Sequence, residues 1–272
     1  MRTRMALVAA GLVIAAGFSQ ALGDAASIEK ARAVFEKTKD SVIWVTAVVN
    51  IEITGGGRNL GAREQKVQAI GTVIDPSGLV AAALSAIDPG TNITGNTMNI
   101  GGESVKITAK STHSQVKLLL PNGTEIDAKI VLTDDVLDLA FVLPEKAGTK
   151  LDLPVVKMEK NPKVEVLEEV VCIGRMPKAM DQAPAVATSE ISSIVTKPRM
   201  FYTGGRTLGG PVFNLDGQPL GITTSYKADM GGGQSAISLV IVPAEEVAKS
   251  AKQALEKKDT PTTKEAAKEE PK

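Results

Sequence analysis

From Ser41 to Leu143 the chain alternates between short apolar, β-branched runs and polar breaks: Ser41 to Ile53, Gln65 to Ile74, Val105 to Ala109, Val116 to Leu120, Ile126 to Leu132 and Leu139 to Leu143. Such runs predict strands, and the run at Val80 reads as a further one. Pro76-Ser77-Gly78, Pro121-Asn122-Gly123 and Leu215-Asp216-Gly217 supply turn chemistry between them. A second set of runs follows the linker Pro144 to Pro154: Glu169 to Ile173, Ala185 to Val195, Val212-Phe213, Leu220 to Ser225 and Ala236 to Ile241. Two groups of strands imply an all-β fold of two barrels, with lobes near residues 41–143 and 152–245, each large enough to bury a core.

Helical periodicity appears only at the two ends of this β region. Ser27 is a candidate N-cap for a docking helix whose apolar face would be Ile28, Ala31, Val34 and Phe35. Pro243 is suited to open a closing helix through Val247 and Leu255. The segment Asp88 to Gly102, rich in Gly, Asn and Thr, reads as a long loop that could bind something, and Gly55 to Arg58 as another loop.

The start Met1-Arg2-Thr3-Arg4, the apolar run Ala6 to Ala16 and the small residues Ser19, Ala21 and Gly23 form the pattern of a secretory signal peptide, taken as residues 1–23. The apolar run is too short for a membrane-spanning helix, so an exported protein, periplasmic or extracellular, without a membrane span is expected. Residues 257–272, charged and interrupted by Pro, are expected to be a disordered tail. Processing would leave 29 basic against 31 acidic residues with no basic block in the folded part, which argues against nucleic acid as a partner. Cys172 is the sole cysteine, so internal disulfides are excluded and a buried strand thiol is expected. His113 is the sole histidine and is expected in a surface or loop position away from any cleft.

Candidate chemistry lies in three ordered segments. The first is Gly71-Thr72-Val73-Ile74-Asp75-Pro76-Ser77-Gly78-Leu79-Val80-Ala81-Ala82-Ala83-Leu84-Ser85-Ala86-Ile87. The second is Asp134-Asp135-Val136-Leu137-Asp138-Leu139-Ala140-Phe141-Val142, and the third runs from Arg206-Thr207-Leu208-Gly209-Gly210-Pro211 to Gly221-Ile222. Together they resemble the Deg/HtrA type of trypsin-like serine proteases, with supporting similarity in Val171-Cys172-Ile173-Gly174 and Val240-Ile241-Val242-Pro243. That resemblance implies two six-stranded antiparallel barrels with short terminal helices. It sets Asp138 at the catalytic acid, Ser85 where the family has its histidine, and Leu208 where it has its nucleophilic serine. Arg206, Thr207, Gly209 and Gly210 fall in the oxyanion loop.

A triad needs a hydroxyl, an imidazole to take its proton and a carboxylate to orient the ring. Leucine has no lone pair, and serine is no base at neutral pH, so the expected outcome is a pseudoprotease retaining the fold. Arg206, in place of glycine, is expected to misform or cover the oxyanion hole, and Leu208 to project toward the cleft. The alternatives are a serine-type endopeptidase using another hydroxyl such as Thr207 or Ser85, and a structural envelope component held by the charged tail. The resemblance implies a protein or peptide ligand, with self-assembly or an active protease partner as further options, and the chain is expected to lack a PDZ domain. Gly231-Gly232-Gly233 lacks the Lys-Ser or Lys-Thr of a phosphate loop, Asn92-Ile93-Thr94 and Asn122-Gly123-Thr124 are weak glycosylation triplets, and no Cys/His or Asp-rich pattern calls for a metal or cofactor.

Overall fold

A computed structural model describes residues 25–100, 102–231 and 234–257. The expected signal peptide lies outside these residues, as does the charged tail beyond Lys257. The first half comprises α1 (Ala25–Thr38), β1 (Val42–Gly55), β2 (Arg58–Val73), β3 (Val80–Ala83), α2 (Leu84–Ile87), α3 (Gly90–Ile93), β4 (Thr97–Ile100), β5 (Glu103–Leu119), β6 (Glu125–Asp134) and β7 (Leu139–Pro144). The second comprises β8 (Glu169–Arg175), β9 (Pro184–Glu190), β10 (Ser193–Val195), β11 (Phe201–Thr203), β12 (Pro211–Asn214), β13 (Pro219–Gly231), β14 (Gln234–Pro243) and α4 (Ala244–Lys257).

Six antiparallel strands of the first lobe close on themselves in the order β1-β2-β3-β7-β6-β5, the β1–β5 ladder completing the barrel, and β4 adds to the outer side of β5. The second lobe is a curved seven-stranded antiparallel sheet, β10-β11-β14-β13-β12-β8-β9, which forms a half-barrel. The two-lobed all-β architecture expected from the apolar runs is therefore present, with terminal helices in place.

Period-two alternation explains how apolar runs without polar interruptions stay buried. In β1, Ile43, Val45, Ala47, Val49 and Ile51 fill the first barrel, while Val42 turns to a second layer. In β7, Ala140 and Val142 face the barrel, whereas Leu139, Phe141 and Leu143 join Val171, Ile173, Phe213, Val240 and Val242 of the second lobe. Each central strand thus buries both faces, one inside its own lobe and one between lobes.

Several boundaries differ from the sequence expectation. Val105 to Ala109 and Val116 to Leu120 belong to one long strand, β5, because β1 pairs with it along almost its whole length and its Gln115 (φ 50°) absorbs a bulge. Asp88 to Gly102 is not a plain loop: it contains α3 and β4, the latter hairpinned onto β5. Gly55 to Arg58 is the tight turn of a long β1–β2 hairpin. The run Ala185 to Val195 breaks at fully buried Ile191, whose N–H donates to Glu168 O instead of a neighbouring strand. The three-residue β11 was not foreseen. Helix α1 begins upstream of Ser27, so that residue is not its cap, and Ile28 is 45% exposed while Ala31 and Val34 carry the burial.

Arg175, at the end of β8, fastens the two lobes. Its guanidinium is almost wholly buried, donates to Val42 O (2.6 Å), Gln182 O (2.8 Å) and Lys39 O (2.8 Å), and lies 3.6 Å from Asp40. Burial pulls its pKa below the usual arginine value, with Asp40 opposing. Beside it the Trp44 indole N–H donates to Met176 O (2.9 Å). Arg175→Met should leave three carbonyls without a donor and lower unfolding free energy by about 3 kcal/mol, read from urea denaturation.

Candidate active site

The loop Asp134 to Asp138 is shaped before any chemistry is considered. Asp134 Oδ1 accepts the N–H groups of Val136 (3.1 Å) and Leu137 (3.0 Å), a turn that aspartate side chains form readily. Asp134 Oδ2 also accepts from Ser250 of α4 at 3.3 Å. The turn delivers Asp138 in a left-handed conformation (φ 54°), which Asp tolerates better than most residues.

Asp138 is 8% exposed, and its carboxylate lies between the lobes. Oδ1 accepts the Ser85 N–H at 2.6 Å. Oδ2 accepts the Ser85 hydroxyl (2.8 Å), the Ser225 hydroxyl (2.8 Å) and the Ser225 N–H (2.7 Å). The two hydroxyl oxygens stand 3.0 Å apart. Ser85 comes from α2 in the first lobe and Ser225 from β13 in the second, so one carboxylate bridges both. Asp138 also accepts the Leu84 N–H on its main-chain oxygen (2.9 Å), which fixes the start of α2 over it. Burial raises the Asp138 pKa, and the four hydrogen bonds from Ser225 and Ser85 pull it back in part.

A cavity of about 610 Å³ opens over this cluster, with Leu84, Val136, Tyr226 and Lys227 in its walls and Asp88 and Asp135 among its acidic groups. Asp138 and Ser85, paired from the sequence, are indeed brought together. Ser225 was missed: a single strand serine carries no pattern that marks it, and only the β13 fold-back brings it to Asp138.

The loop with Arg206, Thr207, Leu208, Gly209 and Gly210 packs close by, without contributing a side chain to that cavity. Gly209 (φ 82°) donates to Thr223 O (2.7 Å), and its carbonyl accepts the Thr72 hydroxyl (3.1 Å). A Cβ there would lie 2.1 Å from Ile70 O and 3.6 Å from Ala83 N, so glycine permits the loop to touch the first lobe two residues before Ser85. Gly210 N–H donates to Thr207 O (2.9 Å), and the Thr207 side chain lies against Gly174 and Gly210, away from the Asp138 cluster. Leu208 is half-buried. The Arg206 side chain leaves in another direction, its Nε donating to Ser189 Oγ (3.2 Å) beside Glu169 and Glu190.

Cys172 is buried, as expected of a strand thiol, and burial pushes its pKa up while the nearby Arg206 backbone N–H and positive charge oppose the rise. His113 departs from its expected loop setting: it is a half-buried residue within β5, opposite Val49, and its Nε2 has no hydrogen-bond partner. It is not part of the Asp138 cluster. Among the described residues no group of His, Cys, Asp and Glu is arranged to hold a metal ion.

The sequence profile of the trypsin-like peptidase domain matches residues 69–222, more than half of the chain. The chain belongs to this family. It is also 28% identical over 131 residues to a protein of Synechocystis sp. (strain ATCC 27184 / PCC 6803 / Kazusa) named "Putative serine protease HhoB", a match covering 44% of this chain and 30% of that relative. Less than a third of the relative's length is thus represented. No helix among the described residues is long and apolar enough to cross a membrane.

Two outcomes are expected. Gly209→Ala should cost about 2 kcal/mol or more, because it combines a left-handed backbone with a backbone clash that no side-chain rotation relieves; thermal unfolding by circular dichroism measures this. For Asp138 the folded-state pKa lies above the unfolded one, so the folded protein holds the proton more tightly. Its stability contribution is fully present below the ordinary aspartate pKa of about 3.9 and is lost as pH rises through the folded value. The stability difference between the native chain and Asp138→Asn should therefore shift against the native chain as pH climbs through that window, measured by urea titrations from acid to neutral pH.

Proposed function

We propose that this chain is an exported, polypeptide-binding member of the trypsin-like peptidase family that does not hydrolyse its ligand. The observation that carries the reading is the hydroxyl of Ser85 on Asp138 Oδ2, where the family resemblance calls for an imidazole. A serine hydroxyl bonded to a carboxylate cannot accept a proton at neutral pH, and the carboxylate, whose upward shift from burial is partly offset by four donors, is a weaker base than an imidazole. Leu208, aligned by the same resemblance with the nucleophile, offers only hydrocarbon. With neither a nucleophile nor a base at the aligned positions, acyl transfer lacks both the attacking atom and the group that takes its proton. The retained glycines Gly209 and Gly210 are explained by backbone approach alone.

A second reading is favoured by the same short contact: Ser85 and Asp138 could act as a hydroxyl–carboxylate pair in residual hydrolysis. The two readings separate with a fluorophosphonate probe followed by mass spectrometry of the purified protein. No adduct on Ser85 or Ser225, together with saturable binding of unstructured peptides by fluorescence anisotropy, is the expected result. A Ser85 adduct that disappears in Asp138→Asn would reverse the assignment in favour of hydrolysis.

A further inference from the structure

The cavity above Asp138 has an unusual hydrogen-bonding floor. Both serine hydroxyls and both serine N–H groups spend their protons on the carboxylate or on each other, whichever way the 3.0 Å Ser85–Ser225 contact is oriented. What the floor can still offer a ligand is lone pairs and negative charge. A carboxylate this buried is ordinarily matched by a cation. Among the described residues none forms an ion pair with it: the nearby Lys227 ammonium donates instead to Thr94 O (3.3 Å) and Asn96 Oδ1 (2.9 Å).

We propose that this cavity receives the guanidinium group of an arginine side chain on a bound polypeptide. The proposal rests on the polypeptide-binding reading above and names its specificity. A guanidinium brings several donors in a plane and needs no acceptor in return, which suits a floor made of lone pairs. Leu84, Val136 and Ala109 give the aliphatic stem apolar contact, and Tyr226, whose ring packs against Phe201, adds aromatic surface to the same lining. Three carboxylates, Asp88, Asp135 and Asp138, share the lining with one ammonium, that of Lys227, so the balance of charge also favours a cation. The volume of about 610 Å³ is ample for one such side chain. A bare metal ion is a poorer match, since the described carboxylates are not grouped for coordination.

The test compares N-acetyl-arginine amide with N-acetyl-citrulline amide, its neutral isostere, by calorimetric titration of the purified native chain. Arginine should bind at least about tenfold tighter, the difference a charge-assisted hydrogen bond makes. Asp138→Asn should abolish the preference. Asp135→Asn, an exposed change unlinked to folding, should weaken arginine binding about two- to threefold, which keeps the test decisive if Asp138→Asn does not fold. Equal binding of arginine and citrulline, or arginine binding unchanged in both variants, overturns the proposal. Peptides that bind equally well with arginine replaced by citrulline overturn this inference and leave the polypeptide-binding reading standing. Absence of any peptide binding, with the amide preference intact, removes the polypeptide as source and overturns both.

Discussion

One buried carboxylate holds the centre of this molecule. Asp138 is contributed by a turn of the first barrel, yet two of its four hydrogen-bond donors come from Ser225 in the second lobe. A charge removed from water must find partners of its own, and here half of them are in place only when the two lobes are docked. The lobes, the position of α2 and the approach of β13 are therefore fixed by the same group that the family resemblance marks as the catalytic acid. Arg175 performs the complementary task at the other side of the interface, offering donors to main-chain oxygens of the first lobe where Asp138 accepts them.

Around these two polar fastenings the interface is apolar. Leu139, Phe141 and Leu143 of β7 face Val171, Ile173 and Phe213 across the lobes, while their alternate neighbours fill the barrel. Neither Ser85 nor Leu208 belongs to this layer. Gly209 is held by close backbone approach to the first lobe, and Asp138 by hydrogen bonds from Ser85 and Ser225.

The functional reading follows from what an acid without an imidazole can still do. Asp138 lines a cavity together with Val136 and Tyr226, and on the proposed reading that combination of charge and apolar surface suits ligands with donor groups and apolar stems. Binding and cleavage within one fold differ by a few side chains, so membership of the trypsin-like peptidase family is compatible with either.

The amino-acid sequence by itself determined the strand-forming runs, the two-lobe division, the turns at Gly78, Gly123 and Gly217, and the pairing of Ser85 with Asp138. These are local or follow from ordered motifs: alternation decides a strand, a left-handed turn position favours glycine, and aligned segments bring their residues with them. Only the tertiary structure decided that β5 is one strand, that residues 97–100 pair with it, and that Ser225 completes the shell of Asp138. It also decided where the Arg206 and Thr207 side chains go, toward Ser189 and Gly174 instead of the acid. Those features depend on partners distant in the chain, and a hydroxyl or an exposed strand edge carries no mark of which distant group it will meet until packing brings the two together.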